Sequence, residues 1–189
     1  MTETPCSHAG HQHRGKSSES LVNKQVILKE LDISPGQTIL DAGCGNGYMS
    51  KEFSGLVKKN GKVYALDPDK RAIEVLGEET RNTNIQPILG DITEKTDIDD
   101  ASIDLIYLST VLHGFSKSQI YEFKKEVERL LKPNGILAIV EIIKEPTPFG
   151  PPLEIRFSPQ ELKEIINLSP KKTVEAGQFF YMQTFEKKE

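Results

Sequence analysis

Short apolar runs alternating with amphipathic stretches constrain this chain more than any other feature. Thr38–Ala42, Lys62–Leu66, Ile85–Leu89, Ile103–Leu108 and Ile136–Val140 are runs of five or six residues dominated by aliphatic side chains. Such strands carry apolar groups on both faces, so both faces must be covered. The stretches between them have helical spacing: Tyr48, Met49, Phe53, Leu56 and Val57; then Ile73, Val75 and Leu76; then Ile120, Phe123, Val127, Leu130 and Leu131. Strands alternating with helices in this way predict an α/β fold with a parallel sheet between helical layers.

Local signals set the boundaries. A first helix is expected from Leu21 to Leu31, stopped by Ser34-Pro35-Gly36. Asp67-Pro68 opens another helix with Pro at its first position, which makes Asp69 a first-turn charge. Pro87 inside the third strand implies looser pairing there. Ser116 to Gln119 and Ser158 to Glu161 read as capping boxes, and Pro133-Asn134-Gly135 ends the longest helix. Thr173–Ala176 and Phe179–Phe185, separated by Gly177, are two strand-like segments whose tight connection makes them antiparallel to each other.

The 189 residues carry 24 basic and 28 acidic side chains, a net charge of −4. Residues 1–18 are polar, rich in His and without apolar periodicity, so the expected organisation is a flexible arm over 1–18 and one domain over 19–189. Net acidity gives no electrostatic footprint for nucleic acid, and no apolar run is long enough for a membrane span or signal peptide. With only Cys6 and Cys44, a disulfide framework is excluded, and a cytoplasmic location is the expectation.

Asp41-Ala-Gly-Cys-Gly-Asn-Gly47 lies at the carboxyl end of the first strand and before a helix, where an open parallel sheet receives its ligand. The spacing is G-x-G-x-G, with Tyr48 where a dinucleotide fingerprint needs a third Gly or Ala. Asp41, just upstream, repels a pyrophosphate and suits a cation. No G-K-[ST] follows, which excludes a phosphate-binding P-loop.

Five segments together resemble the class I S-adenosylmethionine-dependent methyltransferases: Ile39 to Gly47, Val63-Tyr-Ala-Leu-Asp67, Leu89-Gly-Asp-Ile92, Asp104 to His113, and Leu131-Lys-Pro-Asn-Gly135 followed by a strand. The chain is most similar to the small ubiquinone/menaquinone-biosynthesis-type branch. The resemblance implies a Rossmann-like three-layer sandwich, with a mostly parallel seven-stranded sheet and an antiparallel C-terminal strand. S-adenosylmethionine needs an acid for its ammonium, a bidentate acceptor for ribose and an edge partner for adenine. Asp41 matches the first, Asp67 the second and Asp91 the third, with the Ile92 amide near the ring edge. Asp67 has the alternative of capping the following helix, and Asp91 that of an Asx turn ahead of Thr93. Gly43, Cys44, Gly45, Asn46 and Gly47 are expected to pass beneath methionine and ribose. Pro68, Gly90 and Leu108 complete the implied cofactor-binding set, and Leu66 and Leu89 either wall the adenine or belong to the core.

Methyl transfer gains most from proximity, and a base is needed only when the nucleophile must lose a proton. His113 is the candidate catalytic group after the fourth strand, set against a packed or capping role; Tyr107 reads as core. The four-proline segment Glu145–Pro152 either roofs the acceptor or is a surface connection. A small-molecule acceptor is the expectation, with no nucleic-acid or membrane partner; the acceptor's identity and the oligomeric state are left open. In the arm, Cys6, His8, His11 and His13 form a possible Zn or Ni site, and His11, His13 and Arg14 a possible cofactor lid. The rival functions are a noncatalytic S-adenosylmethionine-binding or metal-sensing protein and a protein methyltransferase.

Overall fold

The computed structural model describes residues 18–188. Seven strands form one sheet in the order β3-β2-β1-β4-β5-β7-β6. They are β1 (Thr38–Ala42), β2 (Lys62–Asp67), β3 (Ile85–Leu89), β4 (Ile103–Ser109), β5 (Leu131–Ile142), β6 (Ser169–Gly177) and β7 (Phe180–Glu186). The first five run parallel, and β7 is antiparallel to both β5 and β6. Among the described residues there are five α-helices: α1 (Lys24–Leu31), α2 (Tyr48–Val57), α3 (Lys70–Glu79), α4 (Lys117–Leu130) and α5 (Pro159–Ile165).

The apolar strands acquire a core on each face. Ile39, Val63, Ala65, Leu105 and Tyr107 pack with Ile27 of α1, Phe53 and Val57 of α2 and Leu76 of α3. Leu40, Ala42, Ile106 and Leu108 point the other way, onto Phe123, Val127 and Leu130 of α4 and Leu162 of α5. Strand order therefore reverses between β1 and β4, and an open α/β sheet binds its ligand at such a switch point.

Two expected boundaries move. The first helix starts at Lys24 instead of Leu21, because the Asn23 side chain accepts from the Val26 amide while the Asn23 amide donates to the Ala176 carbonyl, pinning the entry to β6. The third helix starts at Lys70, and Asp69 is its cap, accepting from the Arg71 and Ala72 amides at 2.9 and 3.2 Å. Asp69 is thus not a first-turn charge, and Pro68 lies outside the helix. Pro87 is tolerated because β3 is an edge strand. Both capping boxes form. Pro133-Asn134-Gly135 does not separate α4 from β5; α4 passes directly into β5, and residues 132–135 loop out where the β4–β5 register shifts. Among the described residues no helix is long and apolar enough to cross a membrane.

Candidate active site

The loop between β1 and α2 is built around three left-handed glycines: Gly43 (φ +73°), Gly45 (+53°) and Gly47 (+72°). Their surroundings differ. A Cβ on Gly43 would lie 2.6 Å from Cγ2 of Val111, and one on Gly47 would lie 2.4 Å from Cδ1 of Leu76. Among the described residues nothing stands within 4 Å of the Cβ position of Gly45. Two glycines are required by close packing, and the middle one faces open space at the switch point.

Four of the five amides of residues 43–47 are occupied. Those of Gly43 and Cys44 donate to the Leu66 carbonyl at 2.8 and 3.1 Å, that of Gly45 to Oδ2 of Asp67 at 2.8 Å, and that of Gly47 to the Cys44 carbonyl at 2.9 Å. Oδ1 of Asn46 takes the Tyr48 amide. An anion site needs N–H groups aimed outward, so this loop is no phosphate cradle. What it offers a ligand is a Cα surface flanked by carboxylates. The Cys44 thiol is buried, and its burial, with Asp41 and Asp67 nearby, pushes its pKa up, which leaves it an inert core side chain.

Asp41 is 3% exposed, and the Ser50 hydroxyl donates to its Oδ2 at 2.5 Å. Burial pushes its pKa up to about 7; the Ser50 hydroxyl and amide oppose that rise, and the Asp67 carboxylate adds to it. Asp67 is half-buried at the end of β2, with both oxygens aimed by main-chain donors, Gly45 on Oδ2 and the Asp69 amide on Oδ1, each at 2.8 Å. Because Asp69 caps α3, Asp67 does not have to. A carboxylate has about four lone-pair sites, so these two bonds leave room for two more donors.

Asp91 makes the Asx turn, its Oδ1 taking both the amide and the hydroxyl of Thr93 at 2.8 Å. The Gly90 amide donates to the Asp67 carbonyl at 3.1 Å, which ties the β3 loop to the β2 loop. Ile92 is buried. Leu66 is core, lying 3.0 Å from where a Cβ on Gly90 would be, whereas Leu89 is 53% exposed at the end of β3. Leu108 is fully buried against α4, so its side chain is core.

Tyr107 lies in register with Asp41 on the neighbouring strand and on the same face. It is buried as expected, with its ring edge-on to Phe53 at 5.2 Å, and among the described residues its hydroxyl has no hydrogen bond of full geometry, the Ser109 side chain being its nearest polar neighbour to act on it. A buried polar atom without a partner is costly and marks a place where a ligand or water completes the structure.

On the acceptor side, β4 ends at Ser109, Thr110 takes a left-handed φ of +57°, and Leu112–Gly114 form a short 3-10 turn. His113 is buried there. Its Nδ1 lies 2.7 Å from Oε2 of Glu141, and its main-chain amide donates to Oε1 of the same carboxylate at 3.3 Å. The Glu145–Pro152 segment is drawn together by Arg156, a 5% exposed guanidinium that donates to the carbonyls of Ile143, Glu145, Phe149 and Pro151. Glu141, Ser50 and Arg156 escaped the sequence reading. Glu141 alone left a signal, a single acid continuing the apolar run Ile136–Val140.

Cys6, His8, His11, His13 and Arg14, with the metal site and the lid expected of them, lie outside the described residues. Among the described residues no group of three or more His, Cys, Asp and Glu side chains could hold a metal ion.

Comparison with known proteins shows the family. The family described as "Methyltransferase domain" matches residues 39–135. The chain belongs to the S-adenosylmethionine-dependent methyltransferases. An uncharacterized methyltransferase of Synechocystis is 32% identical over 132 residues, covering 69% of this chain and 59% of that protein. The demethylmenaquinone methyltransferase of Staphylococcus carnosus is 29% identical over 122 residues, covering 62% and 48%. The chain thus spans about half the length of the curated relatives it matches. A crystal structure of a SAM-dependent methyltransferase from Aquifex aeolicus superposes with a TM-score of 0.80 at 27% identity, covering 91% of this chain and 93% of that one.

Proposed function

We propose that this methyltransferase-family chain binds S-adenosylmethionine across the carboxyl ends of β1, β2 and β3 and transfers its methyl group to a small-molecule acceptor held at the ends of β4 and β5. When bound, the cofactor supplies an electrophilic methyl group on a sulfonium, and the protein's own task is to grip and orient. The observation that carries the reading is Asp67: two main-chain amides aim its carboxylate at the space above Gly45, where no Cβ intrudes. That arrangement accepts a pair of vicinal ribose hydroxyls.

Asp41 and the unpartnered Tyr107 hydroxyl lie together at the methionine end, where an ammonium pairs with the first and a polar atom completes the second. Oδ2 of Asp91 and the exposed Leu89 side chain serve the adenine edge and face. His113 borders the acceptor. A small acceptor is favoured over a polyanion by the net charge of −4, since binding of nucleic acid rests on neutralising phosphates.

The test is transfer of a labelled methyl group from S-adenosylmethionine into cell extract separated into small molecules, protein and nucleic acid. Label in the small-molecule fraction, lost with Asp67→Ala, supports the reading. Label confined to RNA or protein overturns the acceptor class.

A further inference from the structure

We infer that Thr110 is a positioning residue whose strained backbone seats Val111 on Gly43 and so couples the cofactor loop to the segment that follows β4, residues 110–114. Filling the cofactor site then firms that segment. The inference rests on the reading of the glycine loop as the S-adenosylmethionine site and adds a coupling between that site and its neighbour.

The backbone of Thr110 is out of the ordinary. Among the described residues six non-glycine residues take a positive φ, and Thr110, at +57°, is the only β-branched one. A branched Cβ crowds the main chain in this region, so the conformation persists only where its surroundings impose it. The other five, Asp32, Lys58, Asn82, Ala101 and Asn134, lie in connections that lead into strands. Thr110 alone lies where a strand ends, at the edge of the sheet that receives ligands. Asn or Gly would make the same turn at lower cost, so a plain exit from β4 gives no reason for threonine.

The surroundings that impose the turn can be named. The Thr110 amide donates to the Val140 carbonyl at 2.8 Å. Cγ2 of Val111 lies 2.6 Å from the position a Cβ on Gly43 would take, so the side chain rests on the bare Cα of that glycine. Leu112 is fully buried in the core shared with α4, and the His113 amide donates to Oε1 of Glu141 at 3.3 Å. The bonds to Val140 and Glu141 hold the segment to β5, whereas the Val111 contact joins it to the glycine loop. Gly43 is in turn tied to β2, its amide donating to the Leu66 carbonyl at 2.8 Å.

Strain of this kind leaves a second arrangement close in energy, with Thr110 relaxed to negative φ and Val111 withdrawn. A cofactor laid over residues 43–47 needs Gly43 where Val111 holds it. It therefore binds the seated form better and shifts the population toward it, which is the differential affinity that any coupling requires.

Thermal melting of the free chain tests the strain. Thr110→Asn, which tolerates a left-handed backbone, should melt about 2–4 °C above Thr110→Val, which keeps the branch. Equal melting temperatures, or a less stable Thr110→Asn, overturn the inference without any ligand. Hydrogen exchange of the full chain with and without S-adenosylhomocysteine tests the coupling. In wild type the ligand should slow exchange across 110–114 about tenfold. Unchanged exchange there, with binding shown by calorimetry, overturns the inference. Val111→Ala removes the seat and leaves Gly43 intact, so it should still bind the ligand while exchange at 110–114 no longer responds. A response as large as that of wild type means that Val111 is core packing and nothing more. Thr110→Asn reaches the same question by a second route: its segment should exchange slowly already in the free chain, and the ligand should add less than in wild type. Failure of wild type to bind S-adenosylhomocysteine would overturn the reading of the cofactor site and the coupling with it, while the melting comparison still decides the strain at Thr110.

Discussion

The Ser50 hydroxyl, in the first turn of α2, donates to the Asp41 carboxylate at 2.5 Å, and this bond is what keeps a nearly covered acid from rising further above its pKa of about 7. The helix N-terminus that carries Ser50 favours the ionised form as well.

Because the folded value lies above the unfolded one near 4, the native state holds a proton that the unfolded chain gives up. The stabilisation this provides is fully present below about pH 4 and is lost as pH rises through about 7, at a rate on the order of 1.4 kcal/mol per pH unit within that window. Asp41→Asn should therefore raise the melting temperature relative to wild type at pH 8 and change it little at pH 4. Cofactor binding has the opposite sign: affinity for a cationic ligand should fall as pH drops below 7 in wild type and be lower but flat with pH in the variant. Thermal melts and calorimetry across pH 5 to 8 check both.

The three glycines of the β1–α2 loop should respond differently to alanine. Gly43→Ala drives a Cβ to 2.6 Å from Val111 and should destabilise the free protein by about 1–3 kcal/mol while displacing the segment after β4. Gly45→Ala meets no atom of the described residues, so its free-state cost should be confined to backbone strain of about 1 kcal/mol, yet it should abolish cofactor binding. Denaturant melts beside binding titrations separate the two.

Tyr107→Phe removes a buried hydroxyl that has no hydrogen bond of full geometry among the described residues. The variant should be as stable as wild type or up to about 1 kcal/mol more stable without ligand, and should bind S-adenosylmethionine more weakly. Equal affinity would show that the hydroxyl takes no part in the site.

Arg156→Met leaves four carbonyls of the 143–151 segment without their shared donor. The segment should lose protection in hydrogen exchange and become sensitive to protease, while the glycine loop is unaffected. Arg156→Lys should rescue only in part, since an ammonium cannot reproduce the planar fork of donors.

The sheet was legible because its strands are apolar on both faces, and burial on two sides writes that pattern into the residues themselves. Capping boxes were legible for a similar reason: the two partners lie three residues apart. The start of α3 is not legible locally, because Pro68 and Asp69 both carry helix-start signals and only the three-dimensional turn at Asp67 decides between them. Asp91 shows the limit of motif reading, since Thr93 holds one of its oxygens in an Asx turn, the alternative that the motif could not decide. Glu141 meets His113 across 28 residues, and Arg156 gathers carbonyls from up to 13 residues back. Pairings of that kind depend on how β4, β5 and their following loops are set side by side, which no local pattern records.

The central claim is that the space between Gly45, Asp41 and Asp67 receives S-adenosylmethionine. Isothermal titration of wild type and Asp67→Ala with S-adenosylmethionine, and of wild type with NAD⁺, tests it most directly. The account predicts one saturable S-adenosylmethionine site per chain, weakened at least tenfold by Asp67→Ala, and no comparable binding of NAD⁺. Preference for NAD⁺, or S-adenosylmethionine affinity unchanged by Asp67→Ala, would contradict it.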